Sequence, residues 1–280
     1  MGSLLKGVTF LTTFSLLFLL GGGCSKDDVL RLKDEETIRW DQMVQEVKGR
    51  RIVLVGELHD EPKHHEYQLR IIEALYEHGV HIAIGLEMFR ANNQKFLDSW
   101  VGGNLGLEQF LPIYSANWPD PWSLYKDIFL FSKEKKIPLI GLNVPPEIPA
   151  KVVSKGFGSL SQDEMHQLPP EITCNVDEIY MGYIKRVFPR RSSGNEFVNF
   201  CEAQMVWDNA MALHTVKYLE KHPDTTAVLL TGWDHAWKRG IPRQIERLGP
   251  QYSVTVILPE LVKTERDIIT AEDADFLILR

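Results

Sequence analysis

The sequence predicts an α/β protein: a mainly parallel β-sheet flanked by helices, with an inserted α-helical subdomain. Three observations carry this. Four short apolar runs, within 51–59, 82–87, 137–143 and 227–235, end alike in a glycine followed closely by Glu57 and His59, Glu87, Asn143 and His235. Segments of helical periodicity separate the first three runs, which is the order of parallel strands joined by crossover helices. Residues 149–222, before the fourth run, show helical patterning and no strand signal.

The elements follow in chain order. Lys6 precedes an apolar run from Gly7 to Leu20, then Gly-Gly-Gly and Cys24. That run is short of the roughly 20 residues a membrane span needs, and its layout is that of a secretory leader. Residues 1–23 therefore read as a lipoprotein-type signal peptide. Cys24, after small residues as in a bacterial lipobox, is the expected lipidation site, with an ordinary cleaved leader or an uncleaved anchor as the alternatives. Residues 24–48 read as a charged tether and a first helix near 35–47.

The α/β core is expected over 49–148 and 223–280. Ile52 to Val55 is a continuous apolar run, as in a strand buried on both faces. Pro62 opens a helix that Gly79 ends. A strand over 80–86 and a helix around 92–100 follow. Phe110 to Trp122 mixes aromatics with prolines and reads as a long shaped loop. A helix to Lys135 and a strand over 137–142 lead to Pro145-Pro146, which turns the chain out of the sheet. In the helical subdomain, 149–222, Ser161 caps a short helix and 195–221 is the longest helical stretch. Strands over 227–231 and 254–258, a helix over 242–248 and a final edge strand over 276–279 complete the expectation.

Composition excludes some functions. The formal charge is −7, and the basic residues form only short pairs such as Lys185-Arg186 and Arg190-Arg191, so nucleic acid is not an expected partner. Beyond Cys24 only Cys174 and Cys201 remain, too few for a disulfide framework or a Cys-x-x-Cys metal site. Both fall in one subdomain of a chain expected in an oxidising compartment, where they are able to pair.

The strand ends carry the chemistry. Ligands of open α/β sheets bind beyond the carboxyl ends of the strands, so Glu57, His59, Glu87, Asn143 and His235 are expected to converge. Carboxylate and imidazole together suit a divalent Mn, Fe, Co or Zn ion, held by His59, His235, Glu57 and Glu87. The other reading of these groups is a satisfied polar network. His64, His65 and Gln68 begin the next helix, either orienting the first set or lying exposed. Asp208, on the long helix, is either exposed or paired at the subdomain boundary. Tyr180 and Tyr183 form an aromatic patch whose ordinary role is core packing.

Taken together, Gly56-Glu57-Leu58-His59-Asp60, His64-His65-Glu66-Tyr67-Gln68, Gly85-Leu86-Glu87-Met88-Phe89 with Gln94, and Ala203-Gln204-Met205-Val206-Trp207-Asp208 with Met211-Ala212 resemble the ChaN family of haem-binding lipoproteins. The resemblance covers nearly the whole chain after Cys24. It implies a protein of the bacterial cell envelope, lipid-anchored in the outer membrane or facing the periplasm, that serves haem and iron uptake. It also implies haem held face to face in a homodimer through a tyrosine. Tyr180 and Tyr183 are the candidates because they lie in the helical insert, and the aromatic stretch 114–122 is a candidate apolar wall. ChaN belongs to the wider Tiki/TraB/erythromycin-esterase-like group, whose enzymatic members use two G-x-x-H motifs and a glutamate. His59, His235 and Glu87 match that pattern. The alternative function is therefore a metal-dependent hydrolase in which Glu57 or Glu87 activates water.

Overall fold

A computed structural model describes residues 28–188, 194–249, 251–261 and 269–279. The expected leader, Cys24 and the Arg190-Arg191 pair lie outside them. The described strands are β1 (Asp28–Arg31), β2 (Glu36–Arg39), β3 (Ile52–Glu57), β4 (Ile82–Arg90), β5 (Leu139–Asn143), β6 (Thr226–Gly232), β7 (Val254–Pro259) and β8 (Phe276–Ile278). They form one sheet in the order β2-β1-β8-β7-β3-β6-β4-β5. The six from β8 to β5 run parallel, and β1 and β2 add an antiparallel hairpin at one side.

Alternation along β3 shows why the sheet sits inside the molecule. Val53 and Val55 face one helical layer, and Ile52 and Leu54 face the other, all four at most 1% exposed. The first layer comprises α1 (Trp40–Val47), α2 (Pro62–Glu77), α3 (Gln94–Gly102), α4 (Leu107–Asn117) and α5 (Trp122–Lys135). Between β5 and β6 come α6 (Glu147–Lys155), α7 (Gln162–Met165), α8 (Glu178–Val187) and the long α9 (Gly194–Lys221), with no strand among the described residues. After β6 follow α10 (Trp233–Ala236) and α11 (Ile241–Leu248). One face of α9, with Met205, Met211 and Ala212, joins the core on the second side of the sheet. Ala203, Val206 and Ala210 pack instead with Ile148 and Val152 of α6 in a smaller cluster.

Three expectations are corrected. The stretch taken as a tether begins with the β1–β2 hairpin, and α1 starts only at Trp40. Only Val29 and Ile38 of that hairpin are fully buried, too few apolar positions to mark two strands. The aromatic, proline-containing stretch is largely helix α4, which carries Pro112 inside it. Its aromatics bury against α3 and α5, with Phe110 stacked on Trp100 at 4.3 Å, and this packing outweighs the backbone bond that Pro112 cannot donate. Finally, β8 is not an edge strand but lies between β7 and β1.

Candidate functional site

The crevice is built at the carboxyl ends of β3, β4 and β6. Register places Glu57, the last residue of β3, beside Gly232, the last of β6. On β4 the pairing with β5 slips between Leu86 and Arg90, and the bulge re-aims Glu87 toward β6. There a Glu87 carboxylate oxygen accepts the Gly232 N–H at 2.6 Å. The chain turns straight from Gly232 into α10, which carries Asp234 and His235. His59 reaches the same place, since a Cβ on Gly232 would lie 3.5 Å from its Nε2. The sequence-predicted set Glu57, His59, Glu87 and His235 thus does converge.

Each histidine is held by a carboxylate. Glu57 Oε1 lies 2.8 Å from His59 Nδ1 and accepts the Tyr125 hydroxyl at 2.6 Å. Asp208, fully buried on α9, lies 2.6 Å from His235 Nδ1 through Oδ1 and accepts the Tyr180 hydroxyl at 2.6 Å through Oδ2. His235 Nε2 stands 3.8 Å from Glu87 and 3.9 Å from Asp234. The alternative of an exposed Asp208 is excluded.

The helix-start residues do orient the site. His64 and His65 are both buried, against the alternative of an exposed helix start. His64 Nδ1 accepts the Leu58 N–H at 2.9 Å and fixes the turn that presents His59. His65 Nε2 donates to the His59 carbonyl at 3.0 Å, while its Nδ1 lies 3.0 Å from Glu57 Oε2. Gln68 lies 3.2 Å from that Nδ1 and donates to the Val55 carbonyl. Asn143 is tied to the Glu87 backbone carbonyl at 2.8 Å, so it positions the bulge and not the carboxylate.

Electrostatics couples these groups. Burial pushes the Glu57 carboxyl up, but hydrogen bonding to His59 and the neighbouring His65 outweighs it and holds the pKa near 2, about 2 as folded. Burial lowers both crevice imidazoles, yet facing carboxylates win. His59 rises to about 9, chiefly through Glu57 and Glu87. His235 rises to about 10, through Asp234, Glu87 and Asp208. Glu87 and Asp208 are pushed up by burial, against the pull of His235.

The metal expectation is not supported. Among the described residues no group of three or more His, Cys, Asp or Glu side chains is placed to hold an ion. Glu57 Oε1, His59 Nδ1, His235 Nδ1 and Glu87 Oε2 are engaged with one another, with Asp208, Tyr125 and Gly232, which fixes the four side chains in place. The expected thiol pairing is also absent: Cys174 and Cys201 are free, and Cys174 bonds the Glu202 carbonyl at 3.6 Å.

Tyr180 and Tyr183 are both 4% exposed. The Tyr180 hydroxyl is committed to Asp208 and that of Tyr183 to the Asp234 carbonyl. Burial and the Asp208 charge push both phenols well up, away from the tyrosinate form. Tyr114 of the supposed apolar wall is core, its hydroxyl donated to the Asp120 carbonyl. Sequence reasoning missed Tyr125 and Asp234, and of the aromatic stretch 114–122 it is Trp118 that reaches the crevice, its ring meeting His59 edge-on at 4.9 Å. Asp234 was visible as the neighbour of His235. Tyr125 carries no signal, because helical periodicity assigns it to the core.

Sheet order, bulge and paired imidazoles define a class: α/β proteins with acidic and histidine groups at the carboxyl edge of a mainly parallel sheet. The chain belongs to the haem-binding uptake family ChaN of the Tiki superfamily, whose profile matches residues 43–245. Its fold is similar to that of ChaN from Campylobacter jejuni, a structure described as cofacial heme binding, with TM-score 0.69 and 20% identity over 90% of this chain and 96% of that one. An erythromycin esterase mutant in its open conformation aligns over 85% of this chain and 78% of its own, at 13% identity and TM-score 0.49. No curated protein sequence matches.

Proposed function

We propose that this chain is a haem carrier of the bacterial cell envelope, anchored through a lipid on Cys24, that serves haem and iron uptake and dimerises on its cargo. Membership of the haem-binding family, over residues 43–245, carries the reading. A cavity of about 530 Å³ between the edge strand β5 and the end of α9 supports it, in the size range of small-ligand sites. Its wall includes Tyr218, half-buried, with His222 stacked on it at 4.0 Å and Lys217 and Lys221 beside it. Tyrosine oxygen suits ferric haem, aromatic rings suit its macrocycle, and lysines suit its carboxylates. Burial and Asp98 push the Tyr218 phenol up, so ligation there requires the iron to displace the proton.

Ferric haem titrated into the full chain, with visible spectra and sedimentation, tests this. The expected result is a tyrosinate-type spectrum and a doubled mass, both weakened by Tyr218→Phe. Loss in Tyr180→Phe or Tyr183→Phe, with Tyr218→Phe unaffected, moves the haem to the interior tyrosines. A wild-type protein that changes neither spectrum nor mass overturns the reading.

One observation favours hydrolysis as a second reading: two carboxylate-held imidazoles beside Glu87 in one crevice. With both imidazoles protonated, the chemistry they offer is proton donation to a leaving group. Turnover of p-nitrophenyl acetate abolished by His59→Ala and by His235→Ala supports it, and turnover indifferent to both removes it.

A further inference from the structure

A second cavity, of about 310 Å³, opens between the start of α8 and α11. Arg243, Gln244 and Arg247 of α11 line it with Lys238 and Arg239, Ile179 and Tyr180 close the α8 side, and two carboxylates, Asp177 and Glu272, also stand in its wall. Four cations gathered on one short stretch of an acidic chain repel one another, a cost that helical i, i+4 spacing of Arg243 and Arg247 increases. The structure offsets this with surface carboxylates. Arg239 meets Glu272 at 2.8 Å, Arg247 meets Asp177 at 3.2 Å, Lys238 meets Asp275 at 2.7 Å, and Arg243 contacts Glu246. Glu272, Glu246 and Asp177 are half or more exposed, and such surface pairs contribute little, so an incoming anion exchanges with them at small cost.

An independent observation points inward. Gln244 is 2% exposed, and its Oε1 accepts from Arg247 at 3.2 Å, which leaves Nε2 as a donor. That buried Nε2 has no hydrogen-bond partner, whereas buried polar groups ordinarily have one. Gln244 lines the cavity, and a turn of its amide brings that donor to an acceptor bound there.

We infer that this cavity binds a phosphate-type oxyanion, recognised by Arg239, Arg243, Arg247 and Lys238 and by the Gln244 amide. Guanidinium forks match phosphate oxygens, and the cavity admits a small phosphate ester or a lipid headgroup and excludes anything much larger. The site does not touch the β5 cavity and stands whether or not haem binds there. Tyr180 forms its inner wall and bonds Asp208, so an occupant sits behind the crevice histidine His235.

Calorimetric titration of the full chain with inorganic phosphate and with pyrophosphate, and flotation with phosphatidylglycerol vesicles, test the inference. Arg243→Glu is expected to weaken binding about tenfold or more, and Gln244→Met several-fold, with wild-type haem spectra and melting retained. Binding of the free anions that both substitutions weaken assigns a soluble phosphate compound. Vesicle binding that both substitutions weaken, and that phosphate competes away, assigns a headgroup. Should Gln244→Met fail to fold, Arg243→Glu alone decides. Binding of neither probe, or equal binding by wild type and Arg243→Glu, overturns the inference.

Discussion

His59, half-buried, and His235, buried, show how a desolvated imidazole keeps its proton. Desolvation acts against the charge on both, and only carboxylates at 2.6–2.8 Å reverse it. The consequence is a stability that depends on pH. A histidine whose folded pKa is raised contributes in full below its unfolded value of 6.5 and loses that contribution as pH rises through the folded value. The window runs from 6.5 up to about 9 for His59 and about 10 for His235. Buried Glu87 and Asp208, whose pKa values are raised, act in the same direction at lower pH. Glu57 is the opposite case: its contribution is present above 4.5 and lost as pH falls toward about 2. Urea denaturation across this range should show the midpoint falling on the alkaline side. In His59→Gln the fall should be shallower near pH 9, about 9 being the folded value lost. A wild-type midpoint that is level from neutral to alkaline pH contradicts the charge assignment.

At the level of elements, the bulge on β4 decides where Glu87 points, and Gly141 on β5 permits it. A Cβ at Gly141 would stand 2.7 Å from the Arg90 carbonyl oxygen, a backbone atom that cannot swing aside. Gly141→Ala is expected to cost about 1–3 kcal/mol in denaturation and to shift the environment of Glu87. A variant as stable as wild type, with an unchanged His235 NMR resonance, counts against this role. The same elements show what the sequence made legible. Strands β3, β4, β6 and β7 announce themselves because burial on both faces demands unbroken apolar runs, and a glycine marks each of the turns that bear Glu57, His59 and His235. Pairings that cross the fold leave no such trace. Tyr125 is 68 residues from the carboxylate it bonds, and Asp208 is 27 from His235. Helix α4 was hidden because local proline chemistry and tertiary aromatic packing disagree, and packing prevails.

For the whole molecule, the unexpected feature is the N-terminal hairpin that closes one side of the sheet. Without β1 and β2, strand β8 would present the open edge, and Phe276, Leu277 and Ile278 are all nearly fully buried. An exposed apolar edge strand is a template for pairing with another chain. The hairpin instead ends the sheet with β2, a strand carrying Glu36 and Arg39, while Arg31 at the end of β1 gathers Asp34 of the turn, Glu36 of β2 and Glu46 of α1. It also buries Val29 and Ile38 against the core. Two accounts of the N-terminal region therefore predict different outcomes for one deletion. If residues 28–39 were a mere tether, their removal would leave the domain monomeric and as stable as before. If they cap the sheet, the shortened chain should unfold at lower urea concentration and scatter light as it associates through β8. Haem-driven dimerisation is distinguishable, because association through β8 needs no haem. Deletion of 28–39 with unchanged stability and mass would return the hairpin to the status of a linker.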